Sequence, residues 1–199
     1  MNIGFLASGR GSNMQSVIDA CCSGRLHARP CVVISNNSRA GAIDRAKHAH
    51  VPYRHLSSVT HPDPSHLDYA IRDILVQHQT NLVVLAGYMK KLGPQTLSQF
   101  AGQIVNIHPA LLPSFGGAGM YGPRVHRAVL ASGATESGAT VHLVNAEYDQ
   151  GPILAQRRVP VLPDDSPESL ARRVLEQEHL LLVETLEGIV EGRIVLPKS

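Results

Sequence analysis

Asn2-Ile3-Gly4-Phe5-Leu6-Ala7-Ser8-Gly9-Arg10-Gly11-Ser12-Asn13 is an apolar run that breaks into a glycine loop and reopens on an amphipathic segment. Residues 2–7 read as a buried strand, and Met14, Ile18 and Cys21 or Cys22 recur at helical spacing over 13–23. Strand, glycine turn and helix together open a βαβ unit. Glycines let the chain turn tightly, and the free N–H groups at a helix start attract an anion. Two readings stand side by side: Gly11, Ser12 and Asn13 as a phosphate cradle, or a plain turn with a capping side chain. A dinucleotide site fits less well. The third glycine of G-x-G-x-x-G falls on Met14, and the second strand ends in Ser35-Asn36-Asn37, with no acid for a ribose.

Outward from this unit the alternation continues. Segments 30–35, 52–56, 81–86 and 103–107 read as strands, with helices at 40–49 and 66–77, the latter with Ser65 as its N-cap. From 107 to 123 glycine, proline and polar residues dominate. Segments 139–144 and 153–161 then alternate apolar and polar, joined by the turn Asp149-Gln150-Gly151-Pro152, which predicts an antiparallel pair. A final amphipathic helix over 167–191 carries Leu170, Val174, Leu181 and Leu186. The expected fold is α/β and Rossmann-like, a mostly parallel sheet flanked by helices with an antiparallel C-terminal portion. No repeat or linker interrupts it, so residues 1–199 are expected to form a single domain.

Composition narrows the function. The 199 residues are 43% hydrophobic and 17% charged, with a net charge of +2 and no block of like charges, so no nucleic-acid partner is expected. Apolar stretches such as Leu82–Ala86 fall far short of the ~18 residues of a membrane span. Residues 1–7 lack the basic start of a signal peptide, and Cys21, Cys22 and Cys31 form no disulfide framework, so a cytoplasmic protein is expected. Among eleven histidines, His108, His126 and His142 are the conceivable metal ligands. There is neither an H-x-x-x-H helix with a Glu nor a spaced Cys pair, so no metal is expected.

Asn106-Ile107-His108-Pro109-Ala110-Leu111-Leu112-Pro113 lies at the end of an apolar strand, where open α/β sheets bind ligands. Strand alternation puts Asn106 and His108 on one side and Ile107 on the other. An amide donor beside an imidazole suits stabilisation of an oxyanion with proton transfer. A histidine bonded to a backbone carbonyl is the plain structural alternative, as an Asx turn is for Asp149. A phosphate-sensing module would leave all three residues idle.

Asn106-x-His108-Pro109-x-Leu111-Leu112-Pro113 resembles the signature of the folate-dependent formyltransferases. Within them, Gly9-Arg10-Gly11-Ser12-Asn13 is similar to the loop of the phosphoribosylglycinamide formyltransferases, and the likeness runs over nearly the whole chain. It implies transfer of the formyl group of 10-formyltetrahydrofolate to the amine of 5'-phosphoribosylglycinamide in purine synthesis, by direct attack through a tetrahedral intermediate. By resemblance Asn106 donates to the oxyanion, His108 stabilises it as imidazolium, Asp149 supplies the charge that favours this form, and His142 supports them. The same likeness gives Gly11, Ser12 and Asn13 to the phosphate, Glu178 to the ribose hydroxyls, and Met89, Lys90, Lys91 and Leu92 to the pterin pocket. It implies small-molecule substrates, no membrane or nucleic acid, and a monomer or homodimer.

Three departures from the family pattern stand out. Pro64 occupies a place where some members carry an arginine for the folate tail. Gln150 replaces a residue that is often small. The loop Phe115–Gly122, whose glycines suggest a flap, has Ala118 where its variant usually has lysine. A 10-formyltetrahydrofolate hydrolase, or a formyltransferase for another amine, is the nearest alternative. The chain's length is expected to separate it from transferases and hydrolases that carry an extra domain.

Overall fold

β1 (Asn2–Ala7) is an interior strand of the sheet, because almost every side chain it carries is apolar and can be buried on either face. In the computed structural model, which describes residues 1–197, the chain runs β1, α1 (Ser12–Cys22), β2 (Arg29–Ser35), α2 (Gly41–His48), β3 (Tyr53–His55), α3 (Pro64–Gln77) and β4 (Leu82–Leu85). It continues through α4 (Pro94–Gln99), β5 (Ile104–His108), α5 (Pro123–Ala131), β6 (Glu136–Leu143), β7 (Ile153–Pro160) and α6 (Pro167–Val190). The sheet order is β3-β2-β1-β4-β5-β6-β7; β1 to β5 are parallel, and β6 and β7 run antiparallel to their neighbours. The expected α/β class, with its antiparallel C-terminal portion, is the one found.

Both sheet faces are covered, as a parallel sheet requires. Met14, Val17 and Ile18 of α1 and Leu181, Leu182 and Leu186 of α6 pack on Ile3, Phe5, Val84 and Val105. On the other face Ile71 and Leu75 of α3, with Leu92 and Phe100, cover Leu6, Ile34, Val83 and Ile104. A third cluster joins Val129 of α5 to Val159, Leu170 and Val174.

Several expected boundaries move. Helix α3 is capped by Asp63, not Ser65: its carboxylate accepts from the His66 N–H at 2.8 Å, with Pro64 in the first turn. α1 opens at Ser12 on a left-handed Gly11 (φ 72°) with no side-chain cap, so the capping role considered for Ser12 or Asn13 is not played. Helices α4 and α5 have no counterpart in the sequence reading, because α4 is a single short turn and α5 hides behind the Gly/Pro run. β6 starts three residues before 139. Glu136, Ser137 and Gly138 are poor strand formers, but Gly138 lets β7 approach: a Cβ there would sit 2.1 Å from the Arg157 carbonyl oxygen.

Candidate active site

The strand order reverses between β1 and β4, and at such a switch point the loops part to leave a crevice. Here the crevice is a cavity of about 470 Å³ at the carboxyl ends of β1, β4 and β5. Asn106, His108, His142 and Asp149 all line it, as do Asn13, Glu178 and the 89–92 segment.

The sheet itself brings the first four together. Antiparallel pairing sets Asn106 directly opposite His142 and His108 opposite Thr140, while Ile107, Val141 and Leu143 turn to the core. Asn106 Nδ2 donates to His142 Nε2 at 3.0 Å, and His142 Nδ1 donates to the Leu143 carbonyl at 2.8 Å. Asp149, with φ 56°, enters from the β6–β7 connection. Its Oδ1 lies 3.5 Å from Asn106 Nδ2 and 3.4 Å from His142 Nε2; its Oδ2 lies 3.6 Å from His108 Nδ1 and accepts from the Gly117 N–H at 2.9 Å. The carboxylate thus faces the histidines and the 115–122 loop, not its own turn as an Asx turn would. The Pro109–Pro113 segment is pinned by Thr140, whose hydroxyl donates to the Ala110 carbonyl at 2.6 Å and accepts from the Leu112 N–H at 3.1 Å.

Opposing forces set the charges. Burial pulls His108 below its ordinary 6.5, and the nearby Asp149 charge and the Phe115 carbonyl, 2.9 Å from Nε2, only partly restore it. Burial pushes Asp149 up, but His142, His108 and the Gly117 N–H outweigh that and hold it below the usual carboxylate range. At neutral pH the unliganded site therefore pairs an anionic Asp149 with a neutral His108 that has an acceptor at each ring nitrogen.

In the cavity wall Asn13 Nδ2 donates to Glu178 Oε2 at 2.5 Å, and Asn13 Oδ1 is buried with no partner among the described residues. Of the three loop residues Asn13 lines the cavity, while Gly11 and Ser12 precede it at the helix start. Burial lifts Glu178 from 4.5 to about 7, against the Asn13 hydrogen bond. A carboxyl raised in the folded state contributes stability that is full below pH 4.5 and is lost as pH rises through about 7. Glu178→Gln removes this dependence. Its melting temperature is therefore expected to gain on the parent between pH 5 and 8, by the equivalent of roughly 3 kcal/mol; a constant difference across that range refutes the assignment.

The 87–92 turn, begun by a left-handed Gly87 (φ 76°), also lines the cavity. Met89 is half-exposed and Leu92 is buried; Lys91 Nζ lies 5.6 Å from the centre of the Tyr148 ring, both residues lining the cavity. The sequence reading offered His126 only as a metal ligand. It lies buried in the cavity wall on α5, with Nδ1 lacking a partner among the described residues. The i, i+4 pair Val125 and Val129 is the signal that would have placed it on a helix. Among the described residues no group of three or more His, Cys, Asp or Glu side chains is placed to hold a metal ion, and no helix is long and apolar enough to cross a membrane.

A Rossmann-like sheet carries an Asn–His–Asp corner at the carboxyl end of β5, and the formyl transferase family model matches residues 1–186. The chain belongs to the formyl transferase family. Phosphoribosylglycinamide formyltransferase of Haemophilus influenzae is 42% identical over 98% of this chain and 89% of its own length. The chloroplastic phosphoribosylglycinamide formyltransferase of Vigna unguiculata is 43% identical over 99% of this chain, which spans 63% of that relative's length. Among solved structures, glycinamide ribonucleotide transformylase 1 from Symbiobacterium toebii superposes with a TM-score of 0.93 at 39% identity, covering 99% of this chain and 91% of that one.

Proposed function

We propose that this chain transfers the formyl group of 10-formyltetrahydrofolate to the amine of 5'-phosphoribosylglycinamide, a step of purine synthesis. One observation carries the reading: Asn106, His108 and Asp149 converge in one cavity that Asn13, Glu178 and the 89–92 loop also line. A phosphorylated amine held by Asn13 and Glu178 and a reduced folate held by the 89–92 loop would share that cavity with the three residues. The names of the relatives agree with formyl transfer to phosphoribosylglycinamide.

In this mechanism the amine nitrogen attacks the formyl carbon, a C–N bond forms, and the carbonyl π electrons move to oxygen. Asn106 Nδ2 keeps one hydrogen on His142 and gives its second to that oxyanion. Burial keeps His108 neutral before the reaction; the new negative charge, added to that of Asp149, favours its protonation. The ring accepts the amine proton and passes it to folate N10 as the N10–carbon bond breaks, leaving tetrahydrofolate and the formylated amide. His142 orients Asn106. Met89, Lys90, Lys91 and Leu92 hold the pterin; Gly11, Ser12 and Asn13 hold the phosphate, and Glu178 the ribose. We further propose that residues 1–199 work as one cytoplasmic domain, as monomer or homodimer, without metal, membrane or nucleic acid.

The test is incubation with both substrates and detection of product by mass. Formylated glycinamide ribonucleotide is expected. Tetrahydrofolate without it would make the chain a hydrolase, and no turnover of either substrate would overturn the proposal.

A further inference from the structure

The proposed roles leave unused a hydrogen-bond centre bonded to the cavity-lining Met89. Ser8, the last residue before the glycine loop, is bonded to two separate loops, at the carboxyl ends of β2 and β4. Its N–H donates to the Gly87 carbonyl at 3.0 Å, which merely extends the β1–β4 ladder. Its hydroxyl accepts from the Met89 N–H at 2.8 Å and donates to Asn36 Oδ1 at 2.6 Å. Its carbonyl accepts from Asn37 Nδ2 at 3.4 Å. The residues after β2, where a dinucleotide-binding fold places its ribose acid, here grip Ser8.

The hydroxyl bond to Met89 does what the backbone alone does not. After left-handed Gly87 the chain has left the sheet, and the Met89 N–H has no ladder partner. The Ser8 hydroxyl satisfies it, and Asn36 orients the hydroxyl by taking its proton. The far side is held as well. The Gly9 carbonyl accepts from the Ala42 N–H at 3.1 Å and the Arg10 carbonyl from Arg45 Nε at 2.9 Å, both on α2. Ser8 is thus anchored to a packed scaffold and can transmit that anchorage to the 89–92 loop.

We propose that Ser8 is a positioning residue for the formyl donor: through its hydroxyl it fixes the backbone of the 89–92 loop against which the reduced folate binds. The inference rests on the function proposed above for that loop. The role does not extend to the phosphoribosyl group, whose proposed partners Gly11, Ser12, Asn13 and Glu178 make none of the side-chain hydrogen bonds of Ser8.

The experiment compares the parent chain, Ser8→Ala and Ser8→Thr in three measurements: amide hydrogen exchange at Met89, tetrahydrofolate affinity, and phosphoribosylglycinamide affinity. In Ser8→Ala, Met89 exchange is expected to accelerate and tetrahydrofolate affinity to fall, each by about 10-fold, the effect of one lost hydrogen bond. Phosphoribosylglycinamide affinity stays within about twofold of the parent, because its partners are untouched. Ser8→Thr, which keeps the hydroxyl, restores both losses. Unchanged Met89 exchange, unchanged folate affinity, or an equal fall in both affinities overturns the proposal. Failure of the proposed function shows separately, as absent formyl transfer by the unaltered chain.

Discussion

Replacing His108 by Ala is expected to lower turnover by roughly 10²–10⁴-fold, the range for a positioned proton-transfer group. Asn106→Ala is expected to cost roughly 10²–10³-fold, as the loss of one oxyanion donor does. Both residues sit in β5, whose backbone pairing to β4 and β6 does not depend on their side chains. Circular dichroism should therefore match the parent. The double variant should lose little more than His108→Ala alone, because the two act on one intermediate. Single-turnover rates of product formation decide it; a His108→Ala enzyme within about threefold of the parent would remove the residue from the chemistry.

Gly151→Ala is expected to be the most damaging single methyl in the chain. A Cβ at Gly151 would lie 1.8 Å from the Leu143 carbonyl oxygen and 2.7 Å from its carbon. That backbone has little room to yield. The Leu143 N–H is bonded to the Pro152 carbonyl at 2.8 Å and the Val144 N–H to the Ile104 carbonyl at 2.9 Å. The same Leu143 oxygen accepts from His142 Nδ1, so displacing it disturbs the ring that orients Asn106, and Asp149 is only two residues away. A loss of about 3 kcal/mol or more follows from steric strain of this kind, or about 6–12 °C in melting temperature for a chain of this size. Gly24→Ala is the control, since nothing lies within 4 Å of its Cβ position and only its left-handed φ of 78° is strained. It should cost about 1–2 kcal/mol. Equal melting temperatures for the two variants would refute the steric argument.

Much of this architecture is legible in the sequence because its signals are local. A run such as Asn2–Ala7, apolar on both faces, can only be a covered strand, and the alternation through Leu85 follows from hydrophobic period alone. The helix over 123–131 was not legible, because the glycines and prolines before it mask its start and it buries only one narrow stripe. Asp63 outranks Ser65 as a cap because the cap needs the extended residue before Pro64, and Pro64 itself supplies the first turn. At the site, the strand period put Asn106 and His108 on one face. Their meeting with Asp149 could not be read from spacing, since it depends on β6 and β7 folding back across more than forty residues. The balance on His108 was equally hidden. A carboxylate neighbour argues for charge, and only the depth of the ring shows that burial prevails.

The direct opposition of Asn106 and His142 across β5 and β6 has a consequence for how new amines could be accommodated. Residues paired in a ladder are spaced by the sheet's own repeat, so the reacting corner has no hinge and barely moves when loops are rebuilt. What a substrate must offer is reach: its nucleophile has to arrive at a fixed point, whatever grips the rest of it. The loops around the cavity act as interchangeable jigs, and the length from phosphate grip to amine becomes the ruler that accepts one substrate and refuses another.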